Sequence, residues 1–167
     1  FVTFKAFTLE AQLNLIFEDN SLFLDEGKNL LIEEFGKEYT TYFSILALIA
    51  SGKTARSEME NILEKDIGGY LDRLDKEYSI IKKVKPIFAK EGGRILKYEI
   101  IDNFFSFWFR FIYKNRSAVE IENYEYVKQI VKSEYSTYSG KFLEKYFIEK
   151  LKDSHQFSQI GTYWEKG

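Results

Sequence analysis

Apolar residues recur at helical spacing along most of this chain, but one stretch is apolar on nearly every side. Residues 102–113 contain seven aromatic side chains, namely Phe104, Phe105, Phe107, Trp108, Phe109, Phe111 and Tyr113. Asp102 stands where its carboxylate can cap the first turn of a helix. A helix that is apolar all round must be buried on several faces, and this one is too short to cross a membrane. The pattern predicts a central helix around which the rest of the chain packs.

Residues 39–79 show three further helical patterns. The first ends at Gly52, and the second begins near Thr54 or Ser57, where Ser57 and Glu60 have the spacing of a capping box. The positions expected to be buried are Tyr42, Phe43, Leu46, Ile49 and Ala50 in the first helix, Met59, Ile62 and Leu63 in the second, and Ile67, Tyr70, Leu71, Leu74 and Tyr78 in the third.

Two β-prone runs follow these helices, at residues 80–87 and 95–101. They are joined through the Gly92–Gly93 pair, which suits a tight connection, and Pro86 suits an edge position because it has no N–H to donate. Three helices followed by a hairpin is the order of a winged helix, a helix-turn-helix with a β-wing. The predicted fold class is therefore mainly α with a small β-hairpin: a winged helix flanked by helical segments.

The flanking segments are also predicted to be helical. Residues 1–36 contain two short helices, one capped by Thr8 and carrying Leu9, Leu13, Ile16 and Phe17, the other capped by Asp25 after a loop at 20–24 and ended by Gly36. After a polar connector at 114–122, Asn123 caps a helix, and Gly140 is expected to separate it from another. The expected domains are a helical segment at 1–36, the winged helix with the aromatic helix at 37–114, and a helical segment at 115–167.

Composition narrows the classes of function. The chain has 167 residues, 45% hydrophobic content and a net charge of −2, which excludes a disordered protein and gives no global attraction to nucleic acid. It has no cysteine, and we expect a cytoplasmic location. It has no apolar run that could span a bilayer, so we expect no membrane partner. It begins at Phe1 and its one methionine is Met59, so we interpret it as part of a longer protein.

The run Gly52-Lys53-Thr54 invites a phosphate-loop interpretation. A working loop carries a glycine five positions before Gly52, where this chain has Ala47, and it follows a strand instead of a helix. We interpret the run as the end of one helix and the start of the next.

Charge separates the two parts of the predicted winged helix. The third helix carries Asp66, Asp72, Asp75 and Glu77 against Arg73 and Lys76, whereas the hairpin carries Lys82, Lys83, Lys85, Lys90, Arg94 and Lys97 against Glu91 and Glu99. Phosphate would be repelled by the helix, so any DNA contact is expected through the six hairpin cations, without base reading by the helix. The alternative is a solvated hairpin or a surface that docks a protein.

Several runs resemble one family. The sequence from Tyr98 to Phe111, YEIIDNFFSFWFRF, is similar to a signature of prokaryotic AAA+ ATPases of the archaeal type that carry a so-called DEXX-box ATPase C-terminal domain. Shorter runs add to the resemblance, namely Leu24–Leu31, Ala50–Thr54, Gly140–Glu144 and Tyr163–Glu165. The similarity extends from about Asn20 to the end of the chain.

The resemblance implies an upstream ATPase core, a helical lid ending near Gly36, a winged helix, and a module similar to PD-(D/E)xK nucleases. No Walker motif is present, so ATP and Mg²⁺ are implied only for the upstream core, and no cofactor or metal is expected in this chain. Glu144 matches the acidic position in the first helix of the nuclease-like module. As an ordinary residue it would instead be solvated and paired with Lys141 or Lys145.

These observations lead to one expectation about function. The chain is expected to be a non-catalytic, regulatory winged-helix region of an AAA+ ATPase that binds DNA or a protein partner, including the upstream ATPase domain. The first alternative is a structural or oligomerisation adaptor that docks on the ATPase core. The second is part of a nuclease-like enzyme, for which this chain lacks the remaining acidic and lysine positions.

Overall fold

The fold is known from a computed structural model, which describes residues 8–18, 21–88 and 96–164. The helices are α1 (Leu9–Ile16), α2 (Leu22–Phe35), α3 (Tyr39–Ala50), α4 (Arg56–Leu63), α5 (Gly68–Lys76), α6 (Asn103–Phe107), α7 (Arg116–Glu120) and α8 (Tyr124–Asp153). A 3₁₀ turn at Gly36–Glu38 joins α2 to α3, and a π-helix at Trp108–Tyr113 continues α6. Two antiparallel strands, β1 (Ile81–Val84) and β2 (Lys97–Ile100), complete a mainly helical fold.

The aromatic segment forms the centre of the molecule, as predicted. Asp102 caps α6, with its Oδ1 accepting a hydrogen bond from the backbone N–H of Phe105 at 3.0 Å. Trp108, Phe109, Phe111 and Ile112 are all buried in the π-helical part. The indole N–H of Trp108 donates to the carbonyl of Leu24 at 3.0 Å, which satisfies the polar atom of a buried ring. The segment therefore packs on α2 on one side and on α3 and α8 on others.

One continuous core includes side chains from all three of the expected segments. Leu13 and Phe17 from the first segment are buried with Phe43 of α3 and with Val131 of α8. Gly27 of α2 lies directly on the Trp108 ring, since a Cβ there would stand 2.4 Å from an indole carbon. The helix α2 therefore covers the aromatic centre of this chain, while α1 contacts α8 through Asn14 and Lys128.

The predicted order of three helices and a hairpin is present between residues 39 and 100. The hairpin strands are shorter than the β-prone runs, and Ile81 pairs with Ile100 and Val84 with Lys97. The backbone N–H of Tyr98 also donates to the carbonyl of Thr54 at 2.9 Å, so the segment between α3 and α4 borders the hairpin as a third extended piece. The predicted turn at residues 90–94 lies outside the described residues.

Several predicted helix boundaries were wrong. The helix α2 begins at Leu22, so Asp25 is inside its first turn and Ser21 precedes it. The capping box is also absent, because α4 begins at Arg56 and the Glu60 carboxylate instead accepts hydrogen bonds from the Arg56 side chain and the N–H of Ile67. Asp25, in the first turn of α2, still interacts favourably with the helix dipole, which explains why that position looked like a cap.

Two predictions for the C-terminal part were also wrong. The connector after the aromatic segment contains the short helix α7, and α8 runs through Gly140 as one helix of 30 residues. The glycine lowers helix propensity, but it occupies no positive-φ position and faces open space. Residues on both sides continue the helix, so the glycine does not end it.

Candidate functional site

The hairpin contacts α5 through Lys83, a residue of β1. Lys83 projects from β1, and its Nζ lies 3.0 Å from Asp72 Oδ1 and 3.2 Å from Asp75 Oδ2. The hydrogen bond from Lys83 lowers the pKa of the Asp72 carboxyl, and the same hydrogen bond raises the pKa of Lys83. The charge of this lysine is therefore neutralised by the helix beside it.

The other hairpin cations differ in the groups that their side chains contact. Lys82 faces Glu99 across the strand pair, with 3.6 Å between Nζ and Oε2. The Nζ of Lys97 lies 4.5 Å from the ring centroid of Trp164. Lys85 is exposed, and no carboxylate lies within 4 Å of it in the described ranges. Lys90 and Arg94 are outside the described residues, and the four described cations do not form one patch of free positive charge.

The C-terminal segment packs along the outer side of the hairpin. The backbone N–H of Ile87 donates to the carbonyl of Thr162 at 2.9 Å, and the rings of Phe88 and Tyr163 are 6.2 Å apart. The indole N–H of Trp164 is buried and has no hydrogen-bond partner among the described residues. Residues 154–167 lie within the segment expected to be helical, but they show no strong period in the sequence, so no element was predicted for them individually.

The charged side chains on the exposed side of α5 are paired with neighbouring charges. Arg73 contacts Glu38 at 3.1 Å, and Lys76 is 3.9 Å from Asp72. Arg56 of α4 pairs with Asp66 at 3.1 Å just before α5 begins. The cations of this helix pair are thus held by neighbouring carboxylates, and the surface offers no row of free positive charge to a phosphate backbone.

Two sequence candidates have ordinary surroundings. Lys53 pairs with Glu58 at 2.8 Å, and Gly52 has a φ of 95°, so the Gly52-Lys53-Thr54 run is the turn that ends α3. Glu144 is exposed on α8 and forms none of the ion pairs found in the described part of the chain, including those expected with Lys141 or Lys145. No group of three or more His, Cys, Asp or Glu side chains in residues 8–18, 21–88 and 96–164 could hold a metal ion.

Sequence reasoning missed Arg110, the one charged residue between Asn103 and Tyr113. Its guanidinium donates to the carbonyl of Ala50 at 2.9 Å and to Glu134 Oε2 at 2.7 Å, and only 13% of the side chain is exposed. It therefore satisfies a carbonyl at the end of α3 and links that helix to α8. The sequence signal that could have identified it is a single arginine within a run of aromatic residues.

Comparison with known proteins gives one family match and one relative. Residues 108–167 match the family DUF234, described as archaea bacterial proteins of unknown function. Over 155 residues the chain is 32% identical to MJECL04, an uncharacterized protein of Methanocaldococcus jannaschii. The aligned region covers 87% of this chain and 35% of that protein. No solved structure matches the chain.

These matches overlap the runs that carry the resemblance noted above. The DUF234 range begins at Trp108, in the aromatic segment, and includes Gly140–Glu144 and Tyr163–Glu165. The chain spans about a third of the length of the curated relative that it matches. In the described part of the chain, no helix is both long and apolar enough to cross a membrane.

Proposed function

We propose that this chain is the winged-helix region of a larger AAA+ ATPase and that it docks a protein, in the first place the ATPase part of the same protein. In this proposal α3, α4 and α5 are the helix-turn-helix and β1–β2 is the wing. The order of these elements supports the winged helix, and so does the hydrogen bond from Tyr98 to Thr54 that brings a third extended segment to the hairpin. The relative of which this chain covers 35% supports a larger protein.

The observation that carries the docking function is the contact of Lys83 with Asp72 and Asp75. A wing that binds DNA presents free cations to phosphate, whereas this wing uses Lys83 to neutralise α5. A recognition helix reads bases with donors that enter the major groove, and α5 presents paired carboxylates there. A helix whose charges are already paired, with a hairpin fixed beside it, suits contact with a protein surface better than contact with phosphate.

The test is direct binding between this chain and the separately produced ATPase part of the same protein, measured by calorimetry. We expect saturable binding that weakens when Asp72 and Glu77 are both changed to lysine. The matched control is Glu120→Lys, on α7 and away from α5. Absence of binding, or equal binding by all variants, would remove the docking function.

Weak DNA contact is the second candidate, and the free charge of Lys85 favours it. Fluorescence anisotropy with duplex DNA should show weak binding without sequence preference that disappears as salt is raised. Lys85→Ala should reduce it, while Arg73→Ala should not. Salt-resistant, sequence-selective binding that needs Arg73 would instead make α5 a DNA reader and would contradict the proposal.

The nuclease alternative depends on Glu144. A nuclease of the PD-(D/E)xK type gathers several carboxylates around Mg²⁺, which activates a water molecule. We expect this chain not to cleave plasmid DNA in the presence of Mg²⁺. Cleavage that is lost in Glu144→Ala would show that the chain is an enzyme.

A further inference from the structure

The second half of α8 carries an apolar stripe that nothing in the described structure covers. Leu143, Phe147 and Leu151 follow one another at four-residue intervals, so they lie in one row along the helix. They are 57%, 55% and 43% exposed, and Tyr146 beside them is 52% exposed. Single exposed apolar residues are common on proteins, but a continuous row marks a contact surface.

This stripe lies on the side of α8 opposite to the core. The first half of the helix buries Val127, Val131 and Tyr138. Phe147 is nine residues after Tyr138, and at about 100° per residue the two side chains point about half a turn apart. The stripe therefore cannot reach the core of its own chain while α8 stays one helix.

The charges around Phe147 indicate what covers the stripe. Glu144 and Lys150 stand three residues before and after Phe147, and both flank the apolar row. Lys145 and Glu149, two residues from Phe147, and Lys141 and Asp153, six residues from it, lie on the far side of the helix and do not border the row. Beside the stripe, the sequence therefore places opposite charges at equal distances before and after Phe147.

A second copy of the same helix fits this pattern in one direction. In an antiparallel pair centred on Phe147, Glu144 of one copy is level with Lys150 of the other, and Leu143 is level with Leu151. A parallel pair would place Glu144 level with Glu144 and Lys150 with Lys150. Opposite charges at one level attract and like charges repel, so the charges favour the antiparallel arrangement.

We propose that the second half of α8 is a homodimer interface, in which two copies pair antiparallel with Phe147 at the two-fold axis. Such an interface is isologous, with the same stripe on both partners. Stable complexes bury roughly 1,200 Å² or more, and a single row of apolar residues on one helix offers less, so we expect a weak dimer that depends on protein concentration. The proposal is independent of the docking function given to the winged helix.

Sedimentation equilibrium of the 167-residue chain over a hundredfold concentration range tests the proposal. We expect the average mass to rise from that of one chain toward that of two. Phe147→Glu should remain monomeric throughout. Leu30→Glu, which changes a residue of α2 that is 52% exposed, should dimerise as the original chain does.

Charge exchange tests the direction of the pairing. Glu144→Lys places like charges level with each other in the antiparallel dimer and should weaken it about tenfold. Combining it with Lys150→Glu should restore the affinity, because the opposition is then re-formed. In a parallel dimer the single change would only replace one like-charge contact with another.

Three results would overturn the proposal. The first is a chain that is monomeric at every concentration. The second is a Glu144→Lys protein that dimerises unchanged. The third is a fall in the thermal midpoint of Phe147→Glu under conditions in which the original chain has the mass of a monomer. Such a fall would mean that the stripe is covered within the chain.

Discussion

The aromatic centre and the projecting half of α8 contain similar residues but have opposite surroundings. The aromatic centre is α6 with the π-helix, residues 103–113, and the projecting half is residues 140–153. Trp108 is 3% exposed and Phe109 is fully buried, whereas Phe147 is 55% exposed. Residue type alone therefore does not separate a side chain that stabilises the fold from one available to a partner.

The helix α8 shows what decides between the two. Its first half packs on the aromatic centre, where the rings of Phe111 and Tyr138 are 5.2 Å apart. Its second half continues beyond the core and turns its apolar row to the opposite side. Helical periodicity shows that a face exists, but only the packing shows which half has an internal neighbour.

The largest expected effect comes from removing the central ring. Trp108→Ala should lower the free energy of unfolding by ~3–5 kcal/mol, as deletion of a large buried aromatic does. Phe147→Ala should change it by less than ~0.5 kcal/mol, which is usual for an exposed site. Urea unfolding of both proteins, at a concentration where the chain is monomeric, measures the difference. Equal losses would mean that the two regions do not differ as described.

The next effect comes from the contact of α2 with the same ring. Gly27→Ala puts a methyl group into the Trp108 indole and should destabilise the fold by ~1–3 kcal/mol. Gly69→Ala is the matched control, because nothing lies within 4 Å of the added methyl group there. It should be neutral or stabilise α5 by up to ~1 kcal/mol. A harmless Gly27→Ala would show that α2 does not pack tightly on the centre.

Local patterns predicted the elements well where a local cause fixes them. Thr8, Asp102 and Asn123 do cap their helices, since each supplies an oxygen to a backbone N–H three residues later. The apolar face of α3 was also correct, and of the face predicted for the third helix Ile67, Leu71 and Leu74 are buried while Tyr70 and Tyr78 are half-buried. The exception was α4, where Ile62 was expected to be buried and is 50% exposed.

Contacts between distant residues could not be predicted in this way. The link from Arg110 to Ala50 joins residues 60 positions apart, and that from Trp108 to Leu24 joins residues 84 apart. The pairing of Lys83 with Asp72 depends on how the hairpin lies against α5. Such contacts decide whether a lysine is free for a phosphate, and the charge pattern alone does not reveal them.

A smaller effect is expected where the two halves of α8 meet. Gly140 is in the interior of a continuous helix with open space beside it, so Gly140→Ala should raise the free energy of unfolding by ~0.5–1 kcal/mol. Chemical unfolding followed by circular dichroism gives this value. A destabilised Gly140→Ala protein would indicate that the helix ends there, as the sequence had suggested.

The smallest effect concerns the surface contact of α5 with the hairpin. Lys83 lowers the pKa of Asp72 by donating to it, so the ionised carboxyl stabilises the folded protein above its ordinary pKa of 3.8. That contribution should disappear as the pH falls through the lowered folded-state value. Asp72→Asn should therefore be slightly less stable than the original chain at neutral pH, and the difference should vanish in acid. A difference that grows on acidification would contradict this assignment.

Amide hydrogen exchange along α8 at two protein concentrations tests the central comparison most directly. Residues 127–138 should exchange slowly at both concentrations, because their half of the helix is released only when the core opens. Residues 141–152 should exchange faster in the dilute sample and become protected in the concentrated one, as the exposed stripe acquires its partner. Uniform protection along the helix, unchanged by concentration, would contradict the division of α8 into a core half and a contact half.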